Sequence, residues 1–242
     1  MKKTAVVTGA SRGIGRAAAI ALAKDFNVVV NCRKNIDLAE KTAEEIIKNG
    51  GNALVYRADV SMFDEAHALC KFAVKNFGGI DVLVNNAGIA QQKVFCDITE
   101  DEFKIMMQTN VGSVFNMCKA VMSEMIGKKS GKIINISSVW GICGASCEVH
   151  YSASKSAVIG FTKALAQELA PSGINVNCVA PGVVDTDMCR FDDETKRLVT
   201  EDIPVGKIAS PEKIADTIAF LASDKADYIT GEVINVSGGF VV

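Results

Sequence analysis

Tyr151 and Lys155 stand four residues apart in a segment of helical pattern, which puts a phenol and an ammonium on one helix face, one turn apart. A phenol ordinarily titrates near ~10 and gives up its proton reluctantly at neutral pH. A fixed positive neighbour in a water-poor cleft stabilises the phenolate, so the pair is expected to act as a proton donor with the Tyr151 pKa drawn down by roughly two to three units. The same spacing also fits an ordinary helix surface, and the elements around it must decide between the two.

Short β-branched runs at 5–8, 28–31, 53–57, 82–85, 132–137, 175–180 and 233–236 alternate with helical patterns at 13–24, 36–49, 62–77, 100–125, 151–169 and 211–222. Several of the runs are apolar throughout, as a sheet buried on both faces requires. The alternation predicts an α/β fold, a doubly wound parallel seven-stranded sheet with helices on both faces. The 242 residues fill one such sheet, so residues 1–242 are expected to form a single domain, with no internal repeat or low-complexity linker to divide it. The polar stretch 182–204 follows the sixth run and is expected to be a mobile lid.

Between the first run and the first helix lies Gly9-Ala10-Ser11-Arg12-Gly13-Ile14-Gly15. Glycines allow a tight turn and close approach of a pyrophosphate, and the helix start offers free N–H groups and the positive dipole end. The turn is a candidate dinucleotide site, although its G-x-x-x-G-x-G spacing differs from the usual G-x-G-x-x-G and a glycine-rich turn can also be purely structural. An acid at the end of the second strand would hold a ribose 2′-hydroxyl. The chain has Asn31-Cys32-Arg33-Lys34 there instead, with Arg12 in the glycine turn, so a 2′-phosphate and hence NADPH are favoured over NADH. The alternative is that Arg33 and Lys34 are solvated loop charges.

The 26 Lys plus Arg and 28 Asp plus Glu give a net charge of -2, which points to neither nucleic acid nor an anionic membrane as partner. No apolar run approaches the ~18 residues that span a bilayer. Eight cysteines without a C-x-x-C predict reduced thiols and a cytoplasmic protein, and no histidine or second thiol pair stands at ligand spacing beside Cys143 and Cys147, so no metal is expected. Of the two histidines, His67 falls on a surface helix, while His150 adjoins Tyr151 and is a candidate for substrate contact, as is Glu148. Lys128, Lys129 and Lys132 make a basic patch, either a solvated turn or a landing point for an acidic partner. The helix after Tyr151 is small or apolar nearly all round (Ala153, Ala157, Val158, Gly160, Phe161, Ala164). Together with the apolar end Phe240-Val241-Val242 it predicts a homo-oligomer, with a homotetramer the expected form.

With these residues in place, the chain resembles the short-chain dehydrogenase/reductase family over essentially its whole length. The matching pieces are Thr8-Gly9-x-x-x-Gly13-x-Gly15, Asp59-Val60, Asn85-Asn86-Ala87-Gly88, Asn110, Ser138, Tyr151-x-x-x-Lys155 and Pro181-Gly182 followed by Thr186. The resemblance implies that Asp59 and Val60 lie near the adenine and Asn86, Ala87 and Gly88 near the cofactor. It also implies that Pro181, Gly182, Val184 and Thr186 line the nicotinamide. It further implies that Tyr151 donates a proton to the carbonyl oxygen of a substrate that Ser138 hydrogen-bonds. Lys155 would hold the cofactor ribose and Asn110 a water linking Lys155 to solvent.

Within the family, Asn85 to Ile89, Pro181 to Met188 and Tyr228 to Glu232 resemble bacterial 3-oxoacyl reductases, which implies a thioester of acyl carrier protein or coenzyme A as substrate. Ser172 stands where carrier-protein reductases often have arginine. The run Trp140 to Val149 resembles instead reductases of the 5-aminopentanone modification on elongation factor P. Hydroxysteroid oxidation and a non-catalytic dinucleotide sensor are further alternatives, the last opposed by the presence of Asn110, Ser138, Tyr151 and Lys155 together.

Overall fold

The computed structural model describes residues 2–189 and 192–241. Among these, seven strands, β1 (Thr4–Val7), β2 (Asn27–Cys32), β3 (Asn52–Arg57), β4 (Val82–Asn85), β5 (Gly131–Ile136), β6 (Ile174–Pro181) and β7 (Val233–Val236), form one sheet in the order β3-β2-β1-β4-β5-β6-β7. Every pairing is parallel. The order reverses between β1 and β4, and a crevice opens there beyond the carboxyl ends of the strands.

The helices are α1 (Gly13–Leu22), α2 (Ile36–Lys48), α3 (Phe63–Phe77), α4 (Glu100–Met107), α5 (Ser113–Lys128), α6 (Trp140–Cys143), α7 (Val149–Leu169), α8 (Asp193–Glu201) and α9 (Pro211–Ala222). Helices α1, α2 and α9 cover one face of the sheet, meeting Ala5, Val7, Val28 and Val30; α3, α5 and α7 cover the other, meeting Val6, Val29, Leu83 and Ile133. Alternate strand residues thus bury on opposite faces, which is why the central strands are apolar without alternation. No helix among the described residues is long and apolar enough to cross a membrane.

The structure departs from the sequence expectations in three places. The helix expected over 100–125 is broken by a π-helical turn, Gln108–Gly112, between α4 and α5. Its start is fixed by a capping box in which Thr99 and Glu102 satisfy each other's backbone N–H groups. The four-residue α6 precedes α7, and α7 begins at Val149, two residues before Tyr151. The stretch expected to be irregular contains α8, capped by the Asp192 carboxylate accepting from Thr195 N at 2.7 Å. Arg190 and Phe191 of that stretch, and Val242 of the apolar end, lie outside the described residues.

Candidate active site

The crevice at the reversal is a cleft of about 280 Å³ lined by the glycine turn, the ends of β2, β3 and β4, and the loop after β6. Gly9 and Gly13 take positive φ, +63° and +55°. A side chain at Gly13 would press on Thr186, which covers the turn from the opposite wall. Gly15 serves packing: a Cβ there would collide with the Gly9 carbonyl oxygen and the Asn86 amide. The residue before α1, Arg12, is extended and gives the helix no side-chain cap, so among the described residues the first turn of α1, whose Gly13 and Ile14 line the cleft, starts without a capping side chain. Gly9, Ser11, Arg12, Gly13, Ile14, Asn31, Arg33, Asp59, Val60, Asn86, Ala87, Gly88 and Thr186 all line the cleft. Two of them are also braces. Asn31 accepts from Gly9 N and donates to Ala58 O at 3.1 Å, and Asn86 donates to Thr8 O and Gly9 O.

Three cations reach this cleft. Arg12 pairs with Asp187 at 3.2 Å and Arg33 with Asp59 at 3.5 Å; Lys34 has no side-chain partner among the described residues. Burial works against the Asp59 carboxylate, but the Ser61 N–H and hydroxyl and the Arg33 guanidinium outweigh it and hold its pKa below the usual range. The remaining residues expected near the nicotinamide do not line this cleft. Pro181 ends β6 and its carbonyl accepts from Val139 N at 2.9 Å. Gly182 donates to Val236 O and abuts Ser237, and Val184 is buried against Ala209.

Beyond the Gly88 end of the cleft stand the four residues of the expected tetrad. Lys155 is buried, donates from Nζ to Ile136 O at 2.9 Å, and lies 5.8 Å from the centroid of the Tyr151 ring. A Cβ at Gly88 would sit 3.1 Å from Asn110 Oδ1 and 3.5 Å from Lys155 Nζ, so these three residues meet at one point. Asn110, in the π turn, accepts from Ile89 N at 2.8 Å and donates to Ile89 O and Ser154 Oγ. Its amide therefore locks the segment after β4 to α7. Ser138 Oγ accepts from Trp140 N at 3.2 Å, which leaves its own proton for a partner in the site.

The expected depression of the Tyr151 pKa does not hold. Burial pushes it up to about 12; contact with the Ser138 hydroxyl pulls the other way, and the Glu148 carboxylate adds to the rise. Burial is the larger cause, and the Lys155 ammonium, bonded to the Ile136 carbonyl and 5.8 Å from the ring centroid, does not offset it. Burial in turn brings Lys155 down to about 8. A buried phenol with a raised pKa stays protonated at neutral pH, as a proton donor must.

A model of the short chain dehydrogenase family matches residues 3–197. The chain belongs to this family. It is an oxidoreductase, and its parallel seven-stranded sheet is Rossmann-like. It is 44% identical over 241 residues to a 3-oxoacyl-(acyl-carrier-protein) reductase of Staphylococcus epidermidis, covering 99% of each chain. Similarity extends to the reductases of the same name from Synechocystis sp. (44%, 99% of this chain and 97% of the relative) and Vibrio cholerae (41%, 98% and 96%).

Other candidates among the family member's residues fall out differently. His150 is only 1% exposed and bonds Gln91, so its ring is turned inward and does not line the cleft. His67 bonds its own helix at Phe63 O. The basic patch is largely neutralised: Lys128 pairs with Glu124 and Asp81, and Lys132 with Asp227 at 2.6 Å, leaving Lys129. Glu148 precedes α7 without capping it and is half-buried, and burial pushes its pKa up. Thr109, Ser113, Ser61, Asp187 and Met188 line the cleft and were not singled out from sequence. Thr109 adjoins Asn110, and Asp187 and Met188 follow Thr186, so adjacency was the available signal.

Proposed function

We propose that the protein is an NADPH-dependent reductase of 3-oxoacyl thioesters, converting the 3-keto group to the 3-hydroxyacyl product. The observation that carries this reading is the convergence of a buried, protonated Tyr151 and Ser138 beyond a glycine-floored cleft, in a chain more than two-fifths identical to reductases named for that reaction. The cleft fits the cofactor. The uncapped start of α1 offers donors to a pyrophosphate, and Arg12, Arg33 and Lys34 offer charge to a 2′-phosphate.

Bound NADPH supplies the hydride. Ser138 donates to the carbonyl oxygen and fixes it beside the Tyr151 phenol. Tyr151 then gives its proton to the oxygen as negative charge develops there. A donor with a pKa of about 12 is competent, because an alkoxide's conjugate acid is about as weak as water, ~15.7. Two of the three Lys155 N–H groups remain for the ribose, the third being held by Ile136 O. Asn110 Oδ1, facing Gly88 and Lys155, would carry the water that returns a proton to the site.

Residues 1–242 would act as one domain, the N-terminal half holding the cofactor and the C-terminal half the ketone. Free thiols at all eight cysteines favour a reducing, cytoplasmic setting. A homotetramer is supported by the uncovered Ala153, Gly160 and Ala164 on α7 and by exposed Phe103, Ile105 and Phe115 on α4 and α5. The neutralised basic patch and Ser172 favour a carrier-protein docking surface built differently from the arginine-based one, or a coenzyme A thioester. A second reading, reduction of the aminopentanone on elongation factor P, is favoured by Glu148, a half-buried carboxylate near Tyr151 that would meet an amine. NADPH consumption with acetoacetyl carrier protein, acetoacetyl coenzyme A and modified elongation factor P, measured side by side, tests both. Fastest turnover with a thioester is expected. Turnover with the modified factor alone would transfer the assignment, and tight NADPH binding without any turnover would make the protein a sensor.

A further inference from the structure

His150 immediately precedes Tyr151 and places Nε2 2.8 Å from Gln91 Oε1. The Gln91 amide in turn donates to Glu102 Oε1 at 2.8 Å. Glu102, held down to about 2 by the Lys93 ammonium first and then by Thr99 N and Gln91, can only accept. That fixes the orientation of the Gln91 amide: its oxygen faces the imidazole, so Nε2 of His150 is the donor of that bond. Nδ1 is buried and has no partner among the described residues.

The chain of bonds crosses three elements. Lys93 Nζ holds both Glu102 oxygens at 2.8 and 2.9 Å, Glu102 closes the capping box on Thr99, and Lys93 N donates to Cys147 O at 2.7 Å. The segment after β4, residues 89–99, is thereby tied at one end to the start of α4 and at the other to the run that separates Ser138 from Tyr151. An imidazole buried with one nitrogen unsatisfied is a costly way to fill space, and the hydrogen bond that Nε2 makes is what it secures.

We propose that His150 and Gln91 are positioning residues, holding segment 89–99 against the first turn of α7 so that the ketone-facing wall stays in register with the Tyr151 phenol. The proposal rests on the reductase reading above. Neither residue touches the reacting atoms.

The test is a set of three variants in the full chain, assayed with acetoacetyl coenzyme A and NADPH. Gln91→Leu cuts both bonds and is expected to lower kcat/KM for the thioester about 10- to 100-fold, since small misplacements of reacting groups cost that much. Its NADPH Kd should stay within about twofold, because the cleft wall is intact. Gln91→Glu sets a second carboxylate beside Glu102 and should be as impaired. Adding Glu102→Gln restores the alternation of donor and acceptor, His150 N–H to Glu, Gln amide to Glu, and should recover most of the loss. Amide hydrogen exchange supplies a readout that needs no turnover: the Lys93 N–H should exchange faster in Gln91→Leu. Unchanged kinetics in folded Gln91→Leu, or a double variant no better than Gln91→Glu, would overturn the proposal. Wild-type protein without thioester turnover would instead overturn the reductase reading, and unaltered Lys93 exchange in Gln91→Leu would then still overturn the positioning role of His150 and Gln91.

Discussion

Gly141→Ala is the most exacting perturbation of the account, because it adds one methyl group away from the cleft and should still disable the chemistry. Gly141 lies in α6, packed on α7, and its φ is not positive, so alanine brings no backbone strain. Its Cβ would fall 2.7 Å from Ser137 Oγ, 2.8 Å from the Lys155 carbonyl carbon and 2.9 Å from Lys155 Cβ. Ordinary carbon contacts begin near ~3.5 Å, so the two Lys155 contacts are about 0.6–0.7 Å too close. Relief by rotating a flexible side chain is unavailable, since one obstacle is backbone and Ser137 Oγ is itself bonded to Lys155 O at 2.8 Å. The Ser156 hydroxyl, donating to Gly141 O, ties the two helices further. Helix α7 must therefore move at Lys155, shifting it and Tyr151 relative to Ser138. Overpacking of this kind costs about 1–3 kcal/mol, or roughly 2–12 °C in Tm for a chain of this size. A shift of most of an ångström in the catalytic groups should lower kcat about 10- to 100-fold. Both are measurable, the first by calorimetry and the second by steady-state NADPH consumption. Wild-type kcat in a variant with lowered Tm would refute the claim that α6 positions Lys155, and a wild-type Tm would refute the packing itself.

Lys155→Met should abolish turnover yet be at least as stable as wild type at pH 7, because the buried ammonium, brought down from 10.5 to about 8, is a net cost to folding. That cost is fully present below about pH 8. Between about 8 and 10.5 the unfolded chain binds more protons than the folded one, so wild-type stability rises relative to the variant by on the order of 3 kcal/mol, readable from urea unfolding at a series of pH values. Arg33→Ala and Lys34→Ala should each raise KM for NADPH several-fold while leaving NADH kinetics nearly unchanged; equal effects on both cofactors would remove these cations from 2′-phosphate recognition. Light scattering at micromolar concentration should give four times the chain mass, and a monomer would contradict the homotetramer.

The sheet was legible because its information is local. Each strand run is β-branched and apolar, each major helix has a core-facing stripe, and the glycine turn sits where a strand meets a helix. Helix α8 was not, since Asp193 to Glu201 is polar nearly all round, buries no residue and so lacks the apolar period that marks a helix. The π turn was equally hidden. Its residues continue the helical pattern, and its polar anchors, Asn110 on Ile89 and Gln108 on Ser61 O, are tertiary contacts. The Tyr151–Lys155 pair shows the limit most clearly: spacing placed both groups on one face, but the sign of the tyrosine shift depended on burial, which the ammonium, bonded to the Ile136 carbonyl, does not offset. His150 was conspicuous beside Tyr151, and only the fold could show that it turns inward to Gln91.

The central claim is that Tyr151, lodged against Ser138, is the proton donor. Tyr151→Phe keeps the ring and removes only the hydroxyl, so its NADPH Kd, measured by nucleotide fluorescence titration, should match wild type while kcat with acetoacetyl coenzyme A falls by about 10²- to 10⁴-fold. Turnover within a few-fold of wild type, with NADPH bound as tightly, would contradict it.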